Sequence, residues 1–257
     1  MERTEPAVSV VIPVLDERDS IAALLQEVVA SLAPSGAFEI VVVDDGSRDG
    51  TDAVLAAAAA RIPQLVVLRH TDNAGQSAAL LTGVRHARAS WVATLDGDGQ
   101  NDPADIPRLL AERARQPAAV RLLAGHRVLR RDGVGKRVGS RVANAVRRRL
   151  LGDQCPDTGC GTKLFEREAF LALPRFGHMH RFLPALFRRD GWLVATVPVN
   201  HRPRSAGRSK YGNLQRLAVG LLDLAGVWWL SRRHLRCRVE VVAAGAMACG
   251  IAHEEAA

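Results

Sequence analysis

Several things are scarce in this chain, and each scarcity removes a class of function. Its four cysteines, Cys155, Cys160, Cys237 and Cys249, form no C-x-x-C pair and follow no zinc-finger spacing, which excludes a thiolate metal centre of the usual kind. Aromatic residues are few, with one tyrosine, Tyr211, and six phenylalanines, so the stacking platforms expected of a single-strand nucleic-acid binder are lacking. No apolar run reaches the roughly 20 residues that a transmembrane helix requires. The opening MERTEPAVSVVIPV lacks the positive start and uninterrupted apolar core of a secretory signal. Reduced cysteines and a cytoplasmic location are the resulting expectations. No internal repeat, low-complexity tract or long Pro/Gly/Ser linker divides the 257 residues, and this length suits one substantial core.

Charge, by contrast, is abundant and unevenly placed. Residues 1–125 hold 11 Lys/Arg against 17 Asp/Glu, net −6, whereas residues 126–238 hold 24 against 7, net +17. An acidic half is therefore joined to a basic half. Basic surfaces attract nucleic acid, anionic membrane or phosphorylated substrates, and the shortage of aromatics removes the first.

Three short apolar runs end in carboxylates. Val8–Val14 runs into Leu15, Asp16 and Glu17; Phe38–Val43 runs into Asp44 and Asp45; and WVATL from Trp91 runs into Asp96, Asp98 and Gln100. β-branched runs alternating with helical patterns as far as about Arg115 predict βαβ units and a mostly parallel sheet. Ligands of such sheets bind outside the carboxyl ends of the strands, so these three ends predict one shared crevice. Alternate residues of an extended segment face the same way, which lets Asp96 and Asp98 share a hard divalent cation, Mg²⁺ or Mn²⁺. Asp49 or Thr51 is expected to cap the alanine-rich helix that follows the second run.

Taken together, VSVVIPVLDE, VVVDDGSRDGT, HTDNAGQSAALLTG and TLDGDGQNDP resemble the donor-binding half of glycosyltransferase family 2. PDTGCGTKLF and HRPRSAGRSKYG resemble its polyprenyl-phosphate branch, the dolichol-phosphate mannose synthase-like enzymes. The resemblance implies an α/β, Rossmann-like nucleotide-diphospho-sugar transferase fold of the GT-A type, with helices flanking the sheet. It covers residues 7–233 as a single domain, with a nucleotide-sugar and metal half at 7–125 and an acceptor half at 126–233. The tail at 234–257 lies beyond the resemblance, and the sequence assigns it no role.

The resemblance further implies metal ligands at Asp98 and Gln100, with Asp96 as a ligand or its close partner. It places Pro13, Leu15, Glu17, Val43, Asp45 and Gly97 in the nucleotide pocket, with Asn73 and Gly75 shaping its rim. The implied reaction is inverting transfer of a hexose from a nucleotide-diphosphate sugar, of the GDP-mannose or UDP-glucose type, to a polyprenyl phosphate. A phosphate monoester is largely dianionic at neutral pH, so such an acceptor needs a cationic cradle more than a strong base. Arg127, Arg204 and Lys210 are implied for that cradle, with Arg137, Ser140 and Arg202 as further phosphate ligands and Asp157 as base or orienting group. Lys163 stands where the family often has Arg, and a bidentate contact is not expected there. His178, His180 and Arg181 read as acceptor-side residues, not metal ligands.

Two other readings belong to different classes: a family 2 enzyme acting on a polysaccharide or other soluble hydroxyl, and a noncatalytic nucleotide-sugar sensor. Leu217–Leu230, which ends near Trp228-Trp229 and Arg232-Arg233, lies in an expected interfacial helix at 213–233. Indole rings beside arginines suit the headgroup layer of a membrane. Peripheral association with the cytoplasmic membrane surface is the expectation.

Overall fold

The computed structural model describes residues 5–128, 147–203 and 213–233, the last with side chains from residue 219. Its centre is one seven-stranded sheet. In chain order the elements are β1 (Val8–Val14), α1 (Arg18–Leu32), β2 (Phe38–Asp44), α2 (Thr51–Ala59), β3 (Leu65–Arg69), α3 (Gln76–His86), β4 (Trp91–Thr94), α4 (Asp105–Arg113), β5 (Val120–Arg127), β6 (Lys163–Glu166), α5 (Arg167–Leu171), α6 (Leu183–Arg189), β7 (Leu193–Val199) and α7 (Asn213–Arg232). The strand order is β3-β2-β1-β4-β6-β5-β7. Only β6 runs against its neighbours, antiparallel to both β4 and β5, while the other strand pairs are parallel.

β1 and β2 sit between other strands and carry nearly unbroken buried apolar runs, as strands covered on both faces must. On one face β1, α1, β4 and α4 share a core built around Ile12, Leu25, Leu95 and Ile106. On the other, α3, α5 and α6 pack against Val11, Val43, Val92 and Phe165. Gly83 makes the second layer possible, because a Cβ there would lie 2.4 Å from Val11 Cγ1. The helix thus comes down close to β1, bringing its first residue, Gln76, to the strand ends.

Neither expected residue holds the N-terminal cap position of α2, which is Gly50 at φ 94° without a side-chain cap; Asp49 and Thr51 instead bond around it. Asp49 Oδ1 accepts the Thr51 backbone N–H at 3.0 Å and its hydroxyl at 2.6 Å, while Thr51 Oγ1 accepts the Glu17 N–H at 3.0 Å. Burial pushes the Asp49 carboxyl up, but the Thr51 and Arg18 hydrogen bonds outweigh it and hold that carboxyl below its ordinary range. Asp16 N–H donates to Ser47 Oγ at 2.8 Å, and Arg48 N–H donates to Asp16 Oδ1 at 2.8 Å. These bonds staple the β1 and β2 loops together and hold Asp16 at φ 51°, a conformation that Asp tolerates better than most residues.

Candidate active site

The three strand ends do converge. A cleft of about 450 Å³ opens at the carboxyl ends of β1, β2 and β4, within the usual size of a small-molecule site. Pro13, Leu15, Glu17, Asp45, Asn73, Gly75, Asp96, Gly97 and Asp98 all line it. Val43 is fully buried in the apolar layer under α3. Gln100 follows on the same loop, its carbonyl accepting the Arg202 N–H at 3.0 Å.

At the end of β2 the two aspartates have separate tasks, because neighbouring residues point opposite ways. Asp44 accepts the Ser47 N–H at 2.9 Å and closes the turn. Asp45 faces the cleft and accepts the N–H groups of Ala74 and Gly75 at 2.9 and 2.8 Å, with His70 Nδ1 2.7 Å away. Its carboxylate thereby fixes the loop entering α3.

At the end of β4, Asp96 accepts from Gln76 Nε2 at 2.9 Å, and the Asp96 N–H donates to the buried Asn101 Oδ1 at 2.8 Å. Asp98 accepts the Gln100 N–H at 3.1 Å. Opposite them, Gly161 leaves the space that the Asp96 carboxylate occupies, since a Cβ there would fall 2.1 Å from Asp96 Oδ2. Burial and then the neighbouring Asp98 push the Asp96 carboxyl above its ordinary range, against the pull of Lys163, Arg127 and the Gln76 hydrogen bond. Among the described residues no cluster of three His, Cys, Asp or Glu side chains forms a complete metal cage. Two carboxylates on one wall of an open cleft nevertheless suit a Mg²⁺-like ion, which takes one or two carboxylates and completes its shell with water and substrate phosphate.

The basic half contributes cations to the same lining. Lys163 is only 5% exposed, sits across from Thr94 in the sheet register, lines the cleft and donates to the Cys160 carbonyl. Arg181 lines the same cleft. Arg127 and Asp157, assigned separate tasks by sequence, hold each other instead: Nε to Oδ2 is 2.6 Å and Nη2 to Oδ1 is 2.8 Å. The pair lies behind Gly159, where a Cβ would be 3.4 Å from Arg127 Nη2. Burial works against the Arg127 charge, yet the Asp157 hydrogen bonds raise its pKa further. The segment bearing Asp157 is itself fixed by Arg147, which binds Asp153 at 2.8 Å and also reaches Thr158.

Arg202 does not stand free for a phosphate. Its guanidinium binds Glu27 and, at 2.7 Å, Asp102, so it clasps the β7 end to α1 and to the loop after Gln100. Arg137, Ser140, Arg204 and Lys210 lie outside the described residues. Sequence reasoning missed Gln76, Asn101, Thr158 and Gly161, for none belongs to a spacing that announces it. The pairing of His70 with Asp45, 25 residues apart, likewise had no local signal.

His180 borders the cleft, where Ser77 Oγ lies 2.8 Å from its Nδ1 and accepts its backbone N–H at 3.3 Å. Burial, with Lys163, Arg181 and His178 nearby, lowers its pKa from 6.5 to about 3. As pH falls below about 6.5 the unfolded chain takes up a proton that the folded one refuses until about pH 3, so stability falls with acidification across that window. Urea unfolding between pH 6.5 and 5 is expected to show a shallower pH slope for His180→Gln than for wild type. Parallel slopes would deny the histidine this burial.

A model of the glycosyl transferase family 2 matches residues 9–173. The chain belongs to glycosyltransferase family 2. It is 34% identical over 242 residues to a dodecaprenyl-phosphate galacturonate synthase of Rhizobium johnstonii, covering 89% of this chain and 68% of that one. To an undecaprenyl-phosphate 4-deoxy-4-formamido-L-arabinose transferase of Pseudomonas aeruginosa it is 39% identical over 219 residues, covering 84% and 63%. The chain thus spans about two thirds of the length of these relatives. Its fold matches glucosyl-3-phosphoglycerate synthase of Mycobacterium tuberculosis, solved with Mn²⁺, UDP and glucosyl-3-phosphoglycerate, at TM-score 0.65 and 19% identity over 88% of this chain and 80% of that one. The mostly parallel sheet with its flanking helices is that of a GT-A glycosyltransferase, and this family 2 member is a transferase of sugars.

Proposed function

We propose that this glycosyltransferase moves a hexose-type sugar from a nucleotide diphosphate to a polyprenyl phosphate, with inversion at the anomeric carbon. The observation carrying this reading is the cleft's mixed charge: Asp96 and Asp98 line it together with Lys163 and Arg181. Among the described residues, neither cation makes an ion pair. Two anionic substrates fit such a cleft, one met by carboxylates through a cation and the other by cations directly. The polyprenyl-phosphate relatives support the same acceptor.

Asp96 and Asp98 would hold Mg²⁺ or Mn²⁺, with Gln100 contributing from the same loop. Such an ion supplies Lewis-acid neutralisation of charge on the departing diphosphate. Asp45, Glu17 and the Asn73–Gly75 loop bind the nucleoside end. Gln76 holds the Asp96 carboxylate in place. Lys163 and Arg181, with Arg204 and Lys210, orient the acceptor phosphate for in-line attack. That phosphate already carries the nucleophilic charge, so Asp157 serves by holding Arg127. A screen of GDP- and UDP-sugars with purified protein, Mn²⁺ and a short polyprenyl phosphate, read by mass spectrometry, tests the assignment. Transfer only to soluble hydroxyl acceptors would overturn it.

No described helix is long and apolar enough to cross a membrane. α7 turns Val227 inward and leaves Leu221, Leu222, Trp228 and Trp229 exposed, Leu222 by 74%. Arg232 stacks 4.5 Å above the Trp228 ring, and Arg233 lies 5.4 Å from the Trp229 ring. An apolar outer face edged by cations suits the surface of an anionic bilayer. The protein is expected to float with anionic liposomes at low salt and to detach at high salt, where its charges are screened. A folded variant with both tryptophans changed to serine should lose most of that flotation; unchanged flotation would deny the helix this role.

A further inference from the structure

A second cavity, of about 650 Å³, opens beside the donor cleft and shares Gly75, Gln76, His180 and Arg181 with it. It lies between α3, the 175–181 loop and α7, and nothing in the transfer chemistry above uses it. Its apolar surface comes from three directions: Leu81 on α3, Phe176 and Met179 on the loop, and Val219 on α7. Arg175 and Arg181 supply positive charge. A ligand that is anionic at one end and hydrocarbon at the other matches this lining, whereas a nucleoside or free sugar would leave the apolar side chains unused.

The geometry points to this cavity as the seat of the first isoprene units of the lipid acceptor, with the phosphate at the shared wall beside Arg181. This rests on the polyprenyl-phosphate reading given above and adds where the chain runs. Two features commit it to a lipid. The cavity shares Gly75, Gln76, His180 and Arg181 with the donor cleft, so a phosphate at Arg181 stands next to the reacting sugar while its tail points away. At its other side Val219 begins the stretch of α7 whose next residues, Leu221 and Leu222, are exposed apolar side chains. A prenyl chain therefore has an apolar route from a bilayer lying against α7 into the enzyme. His180 is neutral at the shared wall, leaving Arg181 as that wall's charge. His178 Nδ1 lies 3.0 Å from Asp223 Oδ2 of α7, where the loop meets the helix that closes the cavity.

Leu81→Trp and Val219→Trp fill the cavity from opposite walls, and both are compared with wild type on a long polyprenyl phosphate and on a five-carbon prenyl phosphate. In each, the long-to-short ratio of kcat/KM is expected to fall by about tenfold or more, the discrimination typical of lost apolar contact in a pocket. Nucleotide-sugar affinity, measured by calorimetry, should remain as in wild type. A diazirine-bearing polyprenyl phosphate should crosslink to the 176–179 loop or to α7 near Val219. An unchanged ratio in both folded variants, or crosslinks confined to other segments, overturns the cavity assignment while leaving polyprenyl-phosphate transfer standing. Wild-type protein that binds nucleotide sugar yet transfers to no polyprenyl phosphate overturns the functional reading itself, and this inference with it.

Discussion

Asp98→Ala is expected to lower kcat/KM for transfer by about a thousandfold or more, because each 1.36 kcal/mol of lost transition-state stabilisation costs a factor of ten and Lewis-acid neutralisation is worth several kcal/mol. The fold should survive, since Asp98 is only partly buried at a loop, where it accepts the Gln100 N–H in a local turn. A second measurement separates a lost ligand from a lost shape. Mn²⁺ binds the folded chain, so it should raise the melting temperature of wild type and shift that of Asp98→Ala far less. Asp96→Ala should behave similarly in the metal titration, with an added loss of the Gln76 contact. Turnover near the wild-type rate at saturating donor, with an undiminished Mn²⁺ shift, would remove the β4 carboxylates from the mechanism.

The acidic wall was legible in sequence because it is local. Each carboxylate follows a β-branched run by one to three residues, and both the run and its end are visible without knowing what packs against them. Asp45, Asp96 and Asp98 therefore fell into place together. The basic wall is made across distance. Lys163 reaches the cleft because β6 is inserted backwards between β4 and β5, an arrangement that no hydrophobic period announces. Arg202 looked available for a phosphate from its place in a basic segment, but its ion pairs lie 175 and 100 residues away. Cation-rich segments advertise charge, and only the fold decides whether a carboxylate has already claimed it. The same limit applies to Gly161, whose missing Cβ matters only because Asp96, 65 residues earlier in the chain, occupies that space.

Asp157→Ala is expected to destabilise the folded protein by about 3 kcal/mol or more, because removing one partner of a mostly buried ion pair leaves the other charge uncompensated. The Arg127 and Asp157 side chains are 15% and 6% exposed, and their contact is bidentate, at 2.6 and 2.8 Å. If Asp157 acted chiefly as a base for the acceptor, its loss would lower kcat while leaving stability and Arg127 undisturbed. If it acts by holding Arg127, the two residues must be coupled. A double-mutant cycle decides between these cases, with Arg127→Met, Asp157→Ala and the double variant followed by urea unfolding and by steady-state kinetics. The double variant should be more stable than Asp157→Ala alone, since it no longer buries an unpaired guanidinium. Its activity should be no worse than that of the poorer single variant, because the pair acts as one unit. Additive losses in both measurements, or an Asp157→Ala protein as stable as wild type, would dissolve the pair as a unit and return Asp157 to direct contact with the acceptor.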